Sequence, residues 1–256
     1  MSEHYQTIQF RLEDSIGYLR FYRPEAGNTI NDLMIEECHQ VLNQYGETLK
    51  LLVLEGSQEV FCFGGDFQDI YQNKGAETRS GGPERLYELW LQLATGPFVS
   101  LAHVRGKTNA GGIGFVAACD MVLADQTAVF SLSELLFGLH PACVLPFLIK
   151  RIGRQKAHYM TLMTQPVSVE QAKTWGLVDA YEANSADLLR KHMLRLRRLT
   201  KPAIIRYKSY MATLDGFLHE SKPHAVSSNQ EMLADEDNRN KIKRYMATGK
   251  FPWESA

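Results

Sequence analysis

The chain has 256 residues, of which 45% are hydrophobic and 22% charged, and its formal net charge is −1. A chain of this length and polarity can bury a full hydrophobic core, as one large domain or as a domain with a small appendage. The balanced charge gives no overall basic field, so nucleic acid is not an expected partner. No apolar run approaches the roughly 20 residues of a membrane span, so a membrane is not an expected partner either.

The cysteines indicate the redox compartment. Cys38, Cys62, Cys119 and Cys143 lie in apolar stretches without C-x-x-C spacing. This pattern is typical of reduced, buried thiols and not of a zinc site or a disulfide framework. The N-terminal residues have no apolar signal core. We therefore expect a cytoplasmic protein without a bound metal.

Short strands alternate with helices in the first part of the chain, which predicts an α/β fold. A helix is predicted over 31–45, capped by Asn31 or Thr29. The other predicted elements are a hairpin (7–12 and 17–21), strands (51–54, 98–104, 121–124 and 128–131), a polar loop over 73–83 suited to gate a site, and a helix (84–93).

From residue 144 onward the pattern is helical. The predicted helices cover 145–152, 156–163, 169–175, 186–199, 203–214 and 225–245. We expect a core over 1–197 and a helical region over 198–256. Basic residues cluster between Arg190 and Lys201. The cluster is interpreted first as a solvated helix face, with a docking surface for a phosphate or an acidic carrier protein as the alternative.

Two glycine turns are the main functional signal. Phe63-Gly64-Gly65-Asp66 and Asn109-Ala110-Gly111-Gly112-Ile113-Gly114 each follow an apolar strand and lead into a predicted helix. Glycine permits close approach of a ligand, and N–H groups at a helix start have no intrahelical partner. Two such turns can therefore aim two donors at one oxygen, as the enolate of an acyl thioester requires. Taken singly, each turn is a weak signal. Close helix packing is the favoured explanation of Gly112 and Gly114, and capping of a helix over 67–71 is the favoured explanation of Asp66.

The order of elements and several motifs resemble the crotonase (enoyl-CoA hydratase/isomerase) superfamily over nearly the whole chain. The resemblance implies a spiral of stacked β-β-α units, a helical C-terminal region that trimerises, and an oxyanion hole formed by the N–H groups of Gly65 and Gly111. The matching pieces are Arg23-Pro24 with Asn28, Phe61 to Asp66, Val104-Arg105-Gly106 before Gly111-Gly112, Cys119-Asp120, Phe130 to Leu135, Pro141, and Ala172 with Gly176-Leu177-Val178.

The resemblance also implies which acid takes part. Hydratases of this family that use two glutamates place one in the helix after the second glycine turn, where this chain has Gly114, and the other at the position of Glu134. Glu134 is therefore the expected acid and base, with a surface or capping carboxylate as its alternative. One carboxylate suits proton removal next to a thioester and return of that proton to a hydroxyl leaving from the same face. A glutamate in place of Gly114 is expected to restore the second acid position, without necessarily restoring hydratase activity.

More narrowly, the runs 108–118, 131–139 and 141–146 resemble the dehydrating crotonase homologues of polyketide β-branching cassettes. That resemblance implies removal of water from 3-hydroxy-3-methylglutaryl attached to an acyl carrier protein, giving 3-methylglutaconyl. The implied assembly is a homotrimer or hexamer, and the acyl-phosphopantetheine thioester is the substrate, with no further cofactor. An acyl-CoA hydratase or isomerase and a non-catalytic trimeric scaffold remain the alternatives.

Three further residues are predicted to bind substrate: Asn109, Asp66 and His140. Asn109 either binds the departing hydroxyl or stitches its loop together. The distal carboxylate of the expected substrate calls for a cation, and the sequence does not rank Arg105, Lys107 and His140 for that role.

Overall fold

A computed structural model gives the fold and describes residues 5–68 and 82–254. The strands in these residues are β1 (Ile8–Glu13), β2 (Ile16–Phe21), β3 (Leu51–Glu55), β4 (Val60–Cys62), β5 (Val99–Val104), β6 (Lys107–Asn109), β7 (Met121–Asp125), β8 (Val129–Ser131), β9 (Val167–Ser168) and β10 (Ala180–Glu182). The helices are α1 (Asp32–Tyr45), α2 (Gly82–Thr95), α3 (Gly111–Ala118), α4 (Leu145–Ile152), α5 (Arg154–Met163), α6 (Val169–Trp175), α7 (Ser185–Leu196), α8 (Lys201–Leu214), α9 (Gly216–Ala234) and α10 (Glu236–Thr248). Over those same residues, no helix combines the length and apolarity needed to cross a membrane.

Two sheets form the spiral. The larger has the strand order β1-β2-β3-β5-β7-β10 and is parallel apart from the β1–β2 hairpin. The smaller has the order β4-β6-β8-β9. Successive turns of the chain place one strand in the large sheet and the next in the small sheet, as in β3–β4, β5–β6 and β7–β8. The predicted α/β class and crotonase spiral are confirmed.

The smaller sheet brings the functional segments together. Its strands β4, β6 and β8 are parallel neighbours, so their carboxyl ends meet at one edge. β4 leads into the first glycine turn, β6 into the second, and β8 into a short 3₁₀ helix over Glu134–Phe137. Chain segments that are far apart in sequence therefore face one another.

The hairpin and the first helix form where the sequence predicts them. The hairpin pairs β1 with β2 antiparallel, and Ile8 lies opposite Phe21. Asn31 is the cap of α1, and its Oδ1 accepts from the Met34 N–H at 2.9 Å. The hydroxyl of Thr29, the alternative cap, instead donates to Asp66 Oδ2 at 3.2 Å. Most of the predicted loop over 73–83 lies outside the described residues.

The C-terminal region departs from the prediction in one place. The single helix predicted over 225–245 is wrong, because α9 ends at Ala234 and α10 begins at Glu236. Asp235 has extended backbone (ψ 125°), and its side chain accepts from the Asn238 N–H at 3.0 Å. An Asp in this position favours capping a new helix over continuing the old one. The break allows α10 to fold back towards the 3₁₀ helix over Glu134–Phe137.

Two lysines hold α8 against the spiral. Lys201 Nζ donates to three backbone carbonyls of the core, the closest at 2.6 Å, and burial lowers its pKa. Lys208 is 2% exposed, and its Nζ lies 2.6 Å from Asp120 Oδ1. The basic cluster is thus smaller than the sequence suggests, because Lys201 contacts the core. Arg195, Arg197 and Arg198 remain exposed on the outer face. The division at residue 198 stays a prediction.

Candidate active site

A cavity of about 880 Å³ lies where the two glycine turns and the 3₁₀ helix meet. It brings together all six residues predicted for catalysis or substrate binding. Its outer wall comes from the C-terminal region, with Met232 and Leu233 of α9, Tyr245 of α10 and Phe251 beyond it. The predicted site residues on its surface are Gly65, Asp66, Asn109, Gly111, Glu134 and His140.

The two predicted oxyanion donors are neighbours. A parallel bridge to Ile30 uses the Gly64 carbonyl and the Asp66 N–H, so the N–H of Gly65 points to the opposite side. Gly111 is the first residue of α3, and a Cβ placed on it would lie 3.8 Å from Gly65 N. Neither N–H donates to an acceptor in residues 5–68 or 82–254. Both line the cavity, so they are free to bind one thioester oxygen.

The second turn stores backbone strain at Ala110, a residue that the sequence reasoning did not single out. Ala110 has φ 48° and ψ −121°, a conformation that an L-residue rarely adopts. Its N–H donates to the Ser131 carbonyl at 3.0 Å, which fixes the turn against β8. The first turn approaches closely, since a Cβ on Gly64 would lie 2.7 Å from Ala110 Cβ. Glycine at 64 is therefore required for the two turns to meet.

Glu134 presents a shielded carboxyl group at the start of its 3₁₀ helix. The atom Oε2 is buried and has no hydrogen-bond partner in the described part of the chain. Burial raises the pKa of this carboxyl group to about 7, and hydrogen bonds from the backbone of Glu134 and Ser133 act in the opposite direction. A carboxyl group with this pKa is well placed to accept and return a proton near neutral pH. The geometry thus favours the acid and base role over a surface carboxylate.

We expect Glu134→Gln to stabilise the fold at alkaline pH. The folded-state pKa of about 7 lies above the ordinary value of 4.5, so the folded state binds more protons between those values and loses stability as pH rises through them. The variant should gain at most about 3 kcal/mol of unfolding free energy above pH 7 and nothing below about pH 4. Denaturant unfolding of both proteins at acidic and alkaline pH measures this difference. An equal gain at both pH values would contradict it.

Asn109 is held by the residues around Glu134. Its Nδ2 donates to Ser133 Oγ at 2.9 Å, and its Oδ1 accepts from Ser131 Oγ at 2.9 Å. The amide therefore bridges the end of β6 to the segment that presents Glu134. This geometry supports the stitching interpretation of Asn109, although the side chain also faces the cavity.

Asp66 is tied to a cation that the sequence analysis did not consider for the site. Arg23 Nη2 donates to Asp66 Oδ2 at 2.9 Å, and both side chains are mostly buried. The other oxygen of Asp66 accepts from the Gln68 N–H at 3.0 Å, a contact typical of a helix cap, although most of the predicted helix over 67–71 lies outside the described residues. Arg23 lines the cavity, whereas Arg105 and Lys107 are absent from its described lining. Arg23 is the one arginine or lysine in the described cavity lining.

His140 lies at the opposite wall, where the spiral meets α9. Its Nε2 is 2.9 Å from Ser228 Oγ, and its backbone N–H donates to Met232 Sδ at 3.0 Å. The side chain is exposed and reaches the cavity surface. His140 therefore remains a candidate for binding the far end of a substrate.

The cysteines are free and buried, as predicted. Burial raises the pKa of the Cys143 thiol, which faces the cavity, to about 12, so it is not a thiolate at neutral pH. Cys62 and Cys119 have thiol pKa values raised to about 12 for the same reason.

Gly114 is covered by an aromatic ring. A Cβ on this residue would lie 2.4 to 2.7 Å from three ring atoms of Trp90. The indole is 1% exposed and makes edge-on contacts with Phe115 and Phe147, so a side chain at position 114 would have to displace a packed ring. The expectation that glutamate at position 114 restores a second acid is wrong, because Trp90 fills the space that the glutamate side chain needs.

Comparison with known proteins decides the family. The enoyl-CoA hydratase/isomerase family profile matches residues 11–256. The chain belongs to the enoyl-CoA hydratase/isomerase family. It is 60% identical over 252 residues to bacillaene synthase dehydratase PksH from Bacillus subtilis, covering 98% of this chain and 97% of that one. It is 30% identical to 1,2-epoxyphenylacetyl-CoA isomerase from Escherichia coli, with 73% and 76% covered.

Solved structures agree with this assignment. The crystal structure of a polyketide biosynthesis enoyl-CoA hydratase, pksH, from Bacillus subtilis matches with a TM-score of 0.93 and 59% identity over 97% of this chain and all of that chain. An enoyl-CoA hydratase/isomerase from Mycobacterium paratuberculosis matches with a TM-score of 0.86 at 20% identity, covering 93% and 98%, which shows the fold alone. The predicted family and the predicted hydro-lyase class of enzyme are confirmed.

Proposed function

We propose that this enoyl-CoA hydratase/isomerase family member dehydrates 3-hydroxy-3-methylglutaryl-acyl carrier protein to 3-methylglutaconyl-acyl carrier protein. The supporting observation is a single shielded carboxyl group, that of Glu134, in one cavity with two free backbone donors. Of the other carboxylates that line the described cavity, Glu25 and Asp32 are exposed and Asp66 pairs with Arg23. The 60% identity to the PksH dehydratase supports the same reaction class.

The reaction needs one carboxylate and no co-reactant. The thioester oxygen accepts from the N–H groups of Gly65 and Gly111, and the Glu134 carboxylate removes a proton from C2. The resulting enolate forms the C2–C3 double bond as the C3–O bond breaks. Glu134 returns its proton to the departing hydroxide, which leaves as water, and the carboxylate is regenerated. A proton-transfer group with a pKa of about 7 suits both steps.

The direct test is incubation of the protein with the acyl group loaded on a carrier protein and mass spectrometry of the product. Loss of one water supports the proposal. Turnover of only small acyl-CoA thioesters would favour the second candidate, an acyl-CoA isomerase or hydratase, which the similarity to the Escherichia coli isomerase supports. Inactivity with every thioester would favour a non-catalytic scaffold.

We expect a carrier-bound substrate to react at least about tenfold faster, as a second-order rate constant at low salt, than the same acyl group on CoA. An acidic carrier can be steered by basic surface, and salt screens that attraction. The exposed trio Arg195, Arg197 and Arg198 is the candidate surface. Reversal of the three to glutamate should reduce the preference, and added salt should do the same in the wild type.

The control for this measurement is the same acyl group on pantetheine, which carries no phosphate charge, so its rate constant should change little on charge reversal. Equal rates on the carrier-bound and the CoA-bound substrate would defeat the carrier proposal. A carrier preference that survives both the reversal and added salt would move the docking surface away from this trio.

A homotrimer or hexamer is the proposed assembly. The helical C-terminal region exposes large apolar side chains in sequence proximity on α8 and α9. These are Tyr207, Tyr210, Leu214 and Phe217, each at least half exposed. Such a patch supports burial against other copies of the chain.

A further inference from the structure

We propose that Trp90 binds the C3 hydroxyl of the substrate through its ring N–H and so acts on the leaving group of the reaction. This inference rests on the proposed dehydration and adds a residue to it. The sequence reasoning gave Trp90 no role.

The first observation is the place of Trp90 relative to the oxyanion hole. Gly111 supplies one thioester donor, and Gly114 lies one helical turn further along α3 on the same face, about 4.5 Å along the axis. The indole of Trp90 lies directly against Gly114, and Trp90 lines the cavity. A C3 hydroxyl is three bonds from the thioester carbon. When the thioester oxygen is bound at Gly111, the hydroxyl can therefore reach the region beside Gly114.

The second observation is an unsatisfied donor. Trp90 Nε1 is buried and has no hydrogen-bond partner in residues 5–68 or 82–254. A buried indole N–H normally finds an acceptor, because leaving it unpaired is costly. Glu134 Oε2, on the surface of the same cavity, is unpaired in the same way. A bound molecule with a hydroxyl group can satisfy both, accepting from the indole and from the protonated carboxyl group.

The third observation is rigidity. Trp90 is packed edge-on against Phe115, with ring centroids 5.8 Å apart, and against Phe147, with centroids 5.9 Å apart. Its N–H therefore keeps one direction. Because an indole N–H does not ionise, Trp90 supplies no proton. It stabilises charge on the departing oxygen while Glu134 gives the proton, so the balance of the reaction is unchanged.

Trp90→Phe separates this role from a packing role. The phenyl ring keeps most of the packing and removes the N–H. Dehydration of a 3-hydroxyacyl thioester should fall about tenfold or more in kcat. Exchange of the C2 hydrogens of a butyryl thioester for deuterium, which needs only Glu134 and the two backbone donors, should stay within about twofold. Trp175→Phe, away from the described cavity lining, is the matched control and should change neither rate.

Equal losses of dehydration and of C2 exchange in Trp90→Phe would overturn the proposal, since they indicate a packing role. Unchanged dehydration would overturn it as well. Wild-type protein that exchanges C2 hydrogens but dehydrates no hydroxyacyl thioester would instead contradict the proposed function.

A measurement on the unaltered protein covers the case in which Trp90→Phe does not fold. The chain has three tryptophans, so its indole N–H signals are few in a ¹H–¹⁵N spectrum, and Trp175→Phe and Trp253→Phe assign them by elimination. Binding of a 3-hydroxybutyryl thioester to the wild type should shift the Trp90 signal downfield, and butyryl and glutaryl thioesters should not. A shift with the glutaryl thioester alone would overturn the hydroxyl assignment in favour of a carboxylate.

Discussion

Replacement of Glu134 by glutamine should lower dehydration by about 10³-fold or more while the protein stays folded. General acid and base catalysis contributes roughly 10² to 10⁴-fold for one group, and here one group acts in both steps. Glutamine keeps the size of the side chain but cannot accept the C2 proton. Mass spectrometry of the acyl-carrier product gives the rate, and thermal unfolding shows whether the fold is retained.

Glu25→Gln is the matched control, because Glu25 also lines the cavity but is exposed. It should keep activity near the wild-type level. In the wild type, kcat/KM should rise as pH passes about 7, because the first step needs the carboxylate form of Glu134. Activity of Glu134→Gln within a few-fold of wild type would remove Glu134 from the mechanism.

The parts of the site that sequence reasoning reached are those with a local chemical signature. Gly111 begins a helix, so its free N–H follows from helix geometry. The N–H of Gly65 is free because the bridge to Ile30 uses the groups on either side of it. The Asn31 cap and the β1–β2 hairpin are likewise determined by residues near them in sequence. The role of Glu134, by contrast, came from resemblance to a family, since a carboxylate among leucines has no spacing that identifies it.

What the sequence did not reveal depends on contacts between distant segments. The smaller sheet uses strands of two or three residues, too short to show an alternating pattern. Trp90 and Gly114 are 24 positions apart, and only the packed structure shows that the indole excludes a side chain at 114. The pairing of Arg23 with Asp66 spans 43 positions. Ala110 has a positive φ although it is not a glycine, so its residue type does not indicate this conformation.

These distant contacts change the interpretation of single residues. At the position of the second glutamate this chain has Gly114, and Trp90 occupies the space that a side chain there would take. Helix α3 thus carries a backbone donor at Gly111, and Trp90 of α2 packs its ring against Gly114 one turn later. We therefore propose that the residues packed against α3, as well as its own sequence, determine which reaction this site supports.

The oxyanion hole gives the second large effect. Gly111→Pro should reduce kcat by about 10² to 10³-fold, because proline removes one of the two N–H donors and the loss of such a donor has this size in other enzymes. Gly111 is the first residue of α3, a position at which proline is compatible with the helix. The preceding residue, Ala110, is already in an unusual conformation, so some destabilisation is also expected.

Gly111→Ala separates the lost donor from crowding, because alanine keeps the N–H. Its Cβ would lie 2.9 Å from Ile30 Cδ1, the end of a flexible side chain that can move. The alanine variant should therefore retain much more activity than the proline variant. In both variants, kcat for C2 deuterium exchange should fall by a larger factor than the affinity for the thioester. If the two variants lose activity equally, crowding at the turn explains the effect and the Gly111 N–H is not an oxyanion donor. If the alanine variant is active and the proline variant, still folded by thermal unfolding, is not, the backbone donor is the part that catalysis requires.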